Sequence, residues 1–150
     1  MAKESLFNVL NNRVDFDGIR VLDLFSGTGS ISFEFASRAA QRVVSVEQNS
    51  RYAHFIEQTA KNFGITSMHI LRADVFRYLE RYHEQFDVVF ADPPYDLPNL
   101  GDIPDHFFAS SHLLPDGWFI LEHSGKIQFS SHPHFVELRK YGKVHFTFFQ

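Results

Sequence analysis

One hundred and fifty residues without a cysteine suit a single globular domain and exclude disulfide, thiolate-metal and cysteine-nucleophile chemistry. A composition of 44% hydrophobic and 21% charged residues is that of a soluble folded chain, and 18 phenylalanines point to a core built from aromatic rings. The net charge of −4 argues against a strong nonspecific nucleic-acid binder, since phosphate neutralisation normally shows as a basic surplus.

In chain order, Leu6, Val9 and Leu10 fall on one helical face. The run IRVLDLF (19–25) then reads as a buried strand, followed by a glycine turn and a helix whose Phe33 and Phe35 are expected in the core rather than at a cofactor. A second strand, RVVSVE (42–47), precedes a helix with Tyr52, Phe55, Ile56, Thr59 and Phe63 along one face. A third strand, MHILRA (68–73), leads to a helix marked by Val75, Leu79 and Tyr82. FDVVFA (86–91) and WFILEH (118–123) complete the parallel set. The closing HFVELRKYGKVHFTFFQ reads as an antiparallel hairpin turning at Tyr141, Gly142 and Lys143. The alternation predicts an α/β fold, a mostly parallel sheet with an antiparallel C-terminal hairpin and helices on both faces, in one domain spanning 1–150. No apolar run is long enough to cross a bilayer, and MAKESLFNVL lacks the form of a signal peptide, so a cytoplasmic protein is expected.

In open α/β sheets ligands bind beyond the carboxyl ends of the strands, so the residues just after each strand carry the functional reading. Here they are DLFSGTGSIS, Glu47, Asp74 and DPPY. Gly27 and Gly29 let backbone approach a ligand before a helix N-terminus, yet the dinucleotide fingerprint G-x-G-x-x-G would need glycine where Ser32 stands. Asp23, just ahead of the turn, would repel a pyrophosphate and attract an ammonium group such as the amino-acid end of S-adenosylmethionine. Glu47 is placed to accept from ribose hydroxyls under either cofactor. Asp74 suits an adenine amino group, or simply caps its helix.

The stretch VVFADPPYDL runs from a buried strand into a carboxylate, two prolines and a tyrosine. Neither proline has an N–H to give a neighbouring strand, so the strand stops at Asp92, and the loop is stiff and rich in acceptors. An exocyclic amino group on a nucleobase is a poor nucleophile because its lone pair is delocalised into the ring. Two acceptors, one for each hydrogen, let the nitrogen pyramidalise, and the Asp92 carboxylate with the Pro93 carbonyl supply them as preorganised dipoles. Tyr95 offers a face on which an unpaired base can stack.

VLDLFSGTGSISFEFASR, VVSVEQN, RADVFRYL and FDVVFADPPY resemble, in order and spacing, the motifs of class I S-adenosylmethionine-dependent methyltransferases. With AKESLFNVL ahead of the first strand and YGKVHFTFF at the end, the whole chain is similar to the bacterial 16S ribosomal RNA guanine-N2 methyltransferases of the RsmD family. The resemblance implies a Rossmann-like methyltransferase fold and methyl transfer to a guanine amine in ribosomal RNA, free or in a small-subunit particle, by a monomer. It places Asp92, Pro93, Pro94 and Tyr95 at the acceptor. Around S-adenosylmethionine it places Asp23, Phe25, Gly27, Gly29, Glu47, Gln48, Asp74, Val75 and Asp92. Members of that family usually carry a basic segment before the helix that begins here at Ala2, and the segment's apparent absence would weaken RNA binding.

Other readings use the same residues. A methyltransferase for adenine N6 or another nucleobase amine would share DPPY, a noncatalytic cofactor-binding module would keep the fold, and a glutamine-amide methyltransferase usually shows asparagine where Asp92 stands. A nicotinamide-dependent oxidoreductase is opposed by Asp23 and the missing third glycine. The nine histidines are expected in loops or on the surface and no metal is expected, because no H-x-x-x-H pair lies in a helical pattern. Arg139, Lys140 and Lys143 are expected on a solvated face that can touch RNA backbone.

Overall fold

The computed structural model of the protein describes residues 2–150. Seven strands form one sheet: β1 (Arg20–Leu24), β2 (Arg42–Val46), β3 (Met68–Leu71), β4 (Phe86–Ala91), β5 (Leu113–His123), β6 (Phe135–Tyr141) and β7 (Val144–Phe149). Their spatial order is β3-β2-β1-β4-β5-β7-β6. The first five strands pair in parallel, and β7 lies antiparallel between β5 and β6. Five helices pack on the sheet: α1 (Ala2–Asn11), α2 (Ser30–Ser37), α3 (Ser50–Asn62), α4 (Val75–Arg81) and α5 (Ile103–Phe108), the last preceded by a single 3-10 turn at Leu100–Asp102.

Alternate side chains divide the core into two layers, because successive residues of a strand face opposite sides. Leu22, Leu24, Val44, Val46, Val89, Ala91, Phe119 and Leu121 face α4 and α5. Val21, Val43, Val88, Phe90 and Ile120 face α1, α2 and α3. Both faces are buried, which is why these strands read as continuous apolar runs. The rings foreseen from composition fill both layers: Phe7 and Phe35 lie 4.8 Å apart centre to centre in one, and Phe107 stacks on Phe119 at 4.1 Å in the other.

Three features depart from the sequence reading. The face of α3 that packs on the sheet holds Ala53, Ile56 and Ala60, not the aromatic row. Tyr52, Phe55 and Phe63 stand 47%, 51% and 76% exposed. Two alanines let the helix approach the sheet more closely than rings would, and Ile56 is the one position common to both faces. β5 begins five residues earlier than foreseen, bending through Asp116 at φ 64° and Gly117. A Cβ on Gly117 would stand 2.9 Å from the Leu114 carbonyl oxygen and 3.1 Å from those of Phe86 and Asp87, so the close strand approach there needs glycine. Lastly, His112 and His123 are buried rather than exposed. The His123 Nε2 lies 2.6 Å from the Thr147 hydroxyl and Nδ1 2.8 Å from the Ser124 carbonyl, satisfying both ring nitrogens inside the sheet.

The hairpin turns where the sequence placed it. Tyr141 pairs with Val144, leaving Gly142 at φ 64° and Lys143 as a two-residue loop.

Candidate active site

Strand order reverses across β1, with β2 on one side and β4 on the other, so the loops after β1 and β4 diverge to opposite helix layers. A crevice opens where they part. It is a cavity of about 890 Å³ lined by Asp23, Phe25, Gly27, Glu47, Gln48, Asp74, Val75, Asp92, Pro93, Pro94 and Tyr95 among others. Of the acceptor and cofactor residues expected from sequence, all but Gly29 contribute to this lining. Gly29 sits just behind it at φ 87°, where a Cβ would meet the Ile56 side chain at 3.0 Å and the Phe33 ring at 3.1 Å. Its role is to turn the chain tightly into α2.

The loop after β1 is braced from both ends. The Gly27 N–H donates to Glu47 Oε1 at 2.7 Å, and the Asn49 N–H donates to Glu47 Oε2 at 2.9 Å. Glu47 therefore holds the glycine turn as well as facing the cavity, and each oxygen keeps a second lone pair for a ligand hydroxyl. Phe25 takes φ 59°, a left-handed conformation costly for a large side chain and a mark of local strain at the cavity wall. Asn49 caps α3, its Oδ1 accepting from the Arg51 and Tyr52 N–H groups at 2.9 and 3.2 Å. Asp74 caps α4 through Oδ2, which accepts from the Arg77 N–H at 3.1 Å, while its carboxylate also borders the cavity.

Asp23 is 1% exposed. The Ser32 hydroxyl donates to its Oδ2 at 2.6 Å, and the Ser45 hydroxyl lies 2.7 Å from that of Ser32. The residue that breaks the dinucleotide fingerprint is thus the one that anchors the buried carboxylate, a contact between β1, α2 and β2 that no local pattern announces. Burial pushes the Asp23 carboxyl up to about 7, against the opposing hydrogen bond from Ser32.

The acceptor end is built differently. Ala91 pairs with Leu121, so Asp92 and Glu122 are the next positions on adjacent strands and point to the same face. Both carboxyl groups border the cavity beside Tyr95, close enough for each to act on the other's charge. Burial raises Asp92 to about 6, and burial together with the neighbouring Asp92 charge raises Glu122 to about 7. Asp92 is an exposed side chain at the cavity, so solvent screens it more than it does the fully buried Asp23. Pro93 is buried, fixing the loop, while Tyr95 is half exposed with its ring at the cavity mouth. Glu122 went unnoticed in the sequence, although a carboxylate closing the apolar run WFIL was a signal equal to Asp92 closing VVFA.

Five carboxylates, Asp23, Glu47, Asp74, Asp92 and Glu122, line this cavity, and among the described residues no lysine, arginine or histidine does. Such a site rejects phosphates and favours a ligand with cationic groups. S-adenosylmethionine fits that donor set, having an ammonium, a sulfonium, ribose hydroxyls and an adenine amine to satisfy it, and no phosphate. Among the described residues no group of three or more histidine, aspartate or glutamate side chains is arranged to hold a metal. Among the described residues no helix is long and apolar enough to cross a membrane.

Sheet order, antiparallel hairpin and switch-point cavity define the Rossmann-like fold of class I methyltransferases. A hypothetical protein of Thermus thermophilus superposes with a TM-score of 0.86 over 99% of this chain and 84% of its own, at 25% identity. The 16S rRNA N2 G1207 methyltransferase (RsmC) of the same organism superposes at 0.77 over 97% of this chain and 41% of its own, at 22% identity. The chain belongs to the RsmD-like family described as Conserved hypothetical protein 95, which matches residues 1–150. One relative, the Ribosomal RNA small subunit methyltransferase D of Buchnera aphidicola subsp. Baizongia pistaciae, is 30% identical over 93 residues, 62% of this chain and 47% of that protein. A stretch of 79 residues, 51% of this chain, is 39% identical to 11% of the Ribosomal RNA large subunit methyltransferase K/L of Alcanivorax borkumensis. The alignments thus span about half the length of the first relative and a small part of the second.

Proposed function

We propose that this protein transfers a methyl group from S-adenosylmethionine to the exocyclic N2 amine of a guanine in 16S ribosomal RNA. The observation that carries the reading is a phosphate-rejecting cavity of five carboxylates at the switch point, with the rigid Asp92–Tyr95 loop at its mouth. Support for ribosomal RNA comes from the Buchnera relative, named as a small-subunit rRNA methyltransferase. Support for guanine N2 comes from the same fold in the 16S rRNA N2 G1207 methyltransferase, whose structure holds AdoMet and guanosine.

When bound, S-adenosylmethionine supplies an electrophilic methyl group on a positively charged sulfur. Asp23, held by Ser32, attracts the ammonium end into the β1 side of the cavity. Glu47 and Asp74 accept from ribose and adenine, with Gln48, Val75 and Phe25 forming the walls. The base enters against the Tyr95 ring, worth about 1–3 kcal/mol if stacked. Asp92 and the Pro93 carbonyl each accept one hydrogen of the amine, which localises the nitrogen lone pair and aims it inward.

The test is isothermal titration with S-adenosylhomocysteine and NAD, followed by incubation of S-adenosylmethionine and protein with unmodified 16S rRNA and small-subunit particles. Expected are binding of the first ligand alone and the appearance of N2-methylguanosine in digested RNA. Methylated adenine in its place would move the substrate assignment to adenine N6. Binding of NAD with silence toward S-adenosylhomocysteine would overturn the reading.

A further inference from the structure

A base amine that gains a methyl group keeps two hydrogens and a positive charge until one leaves as a proton. The Pro93 carbonyl cannot keep a proton. Two carboxylates on adjacent strands can, and their placement here is set by register: Ala91 against Leu121 carries Asp92 to Glu122 on the same face. Both border the cavity, and two carboxylates at neighbouring register positions repel as bare anions, a repulsion that one shared proton relieves. We propose that Glu122 is a further catalytic residue: with Asp92 it forms a carboxyl pair that holds one proton and accepts a second from the methylated amine.

The proposal rests on the methyl-transfer reading above and deepens it. In the step itself the N–H bond breaks, its electron pair stays on nitrogen, and a new O–H bond forms on the pair. The pair passes from a charge of −1 to neutral as the positive charge leaves the nitrogen. Release of one proton to water after product departure restores it. The surroundings hold this state: Asp23 faces the pair from β1, Glu47 and Asp74 from across the cavity, and Tyr95 from the loop above. On the far side β7 sets the apolar Phe146 opposite Glu122. Each group is raised above its ordinary value chiefly by burial, and Glu122 further by the Asp92 charge, as a shared-proton pair requires.

Two measurements test it. The first needs no ligand: carbon-13 carboxyl spectra of the full chain are followed from acid to alkaline pH. The Asp92 signal should titrate in two coupled steps, and in Glu122→Gln in one. A single step in the parent protein would overturn the pair. The second compares proton release on binding S-adenosylmethionine and S-adenosylhomocysteine near pH ~6.5 in buffers of different ionisation heat. Both ligands carry the ammonium, so any linkage through Asp23 is common to them, and only the sulfonium differs. S-adenosylmethionine should release about half a proton more, and Glu122→Gln or Asp92→Asn should erase the difference. Equal release in the parent protein, or a difference that survives Glu122→Gln, would overturn the proposal. Binding of neither ligand, with the two-step titration intact, would strike down the cofactor reading and leave the pair standing. On RNA, Glu122→Gln should lower turnover roughly 10²-fold with S-adenosylhomocysteine affinity unchanged, and shift the acid limb of the pH profile.

Discussion

The two halves of the cavity satisfy their carboxylates in opposite ways. On the β1 and β2 side each acid already has a protein donor: Ser32 for Asp23, the Gly27 and Asn49 N–H groups for Glu47, the Arg77 N–H for Asp74. On the β4 and β5 side Asp92 and Glu122 have mainly each other, with the Tyr95 hydroxyl beside them. The first half is a rigid mould, in which protein hydrogen bonds pin the acids for a cationic ligand. The second is left short of donors, and under the proposed function its need would be met by the hydrogens of an incoming amine. Under that function one region would serve binding and the other a charge that appears during reaction.

Substitutions in the two halves should therefore separate binding from turnover. Asp92→Ala removes an acceptor made useful in the transition state and should lower methyl transfer about 10²–10³-fold, as for a lost oxyanion-hole donor, with S-adenosylhomocysteine affinity little changed. An equal loss of affinity, read by isothermal titration, would erase the contrast. Asp23→Ala should do the reverse, weakening S-adenosylhomocysteine about 10–100-fold through a lost charge-assisted hydrogen bond. Ser32→Ala should act in the same direction and more weakly, because the carboxyl remains but loses the hydroxyl that anchors it and favours its charged form.

The pH dependence of stability sharpens the comparison. Asp23, Asp92 and Glu122 stand above their ordinary values of 3.8, 3.8 and 4.5, at about 7, 6 and 7. Between the two sets of values the folded chain binds more protons than the unfolded one, so their contribution is full below pH ~4 and is lost as pH rises toward ~7. The thermal midpoint of the ligand-free protein should fall across that window, and Asp23→Asn, which removes the buried charge, should flatten the fall by roughly 5 °C. A midpoint that rises from pH ~5 to ~7.5 with no change in the variant would contradict the buried charge. The smallest effect is at Asp74: Asp74→Ala should cost about 1 kcal/mol in denaturant unfolding through the lost cap, and Asp74→Asn much less.

Much of this site was legible along the chain because its parts are local. Gly27 and Gly29 mark a backbone turn, the two prolines fix the loop after Asp92, and each acid follows its strand directly. Switch-point geometry then brings those strand ends together, and the register with which β4 meets β5 comes from long-range pairing. Ser32 illustrates the limit. Its sequence meaning was negative, a missing glycine, and only the packing of α2 on β1 turned it into the donor for Asp23. The aromatic row of α3 illustrates another: hydrophobic periodicity shows which residues share a side, and small alanines decided which side meets the sheet.

Alternating apolar runs and helical faces, by themselves, determined the α/β class, the strand ends that carry acids and the antiparallel hairpin, because these follow from backbone periodicity and from residues that cannot continue a strand. Tertiary structure alone decided that Asp92 and Glu122 stand side by side, that no lysine, arginine or histidine among the described residues lines the cavity and that Asp23 is buried. Charge proximity and burial depend on residues far apart in the chain, and they are what move a carboxyl group from solvation to chemistry.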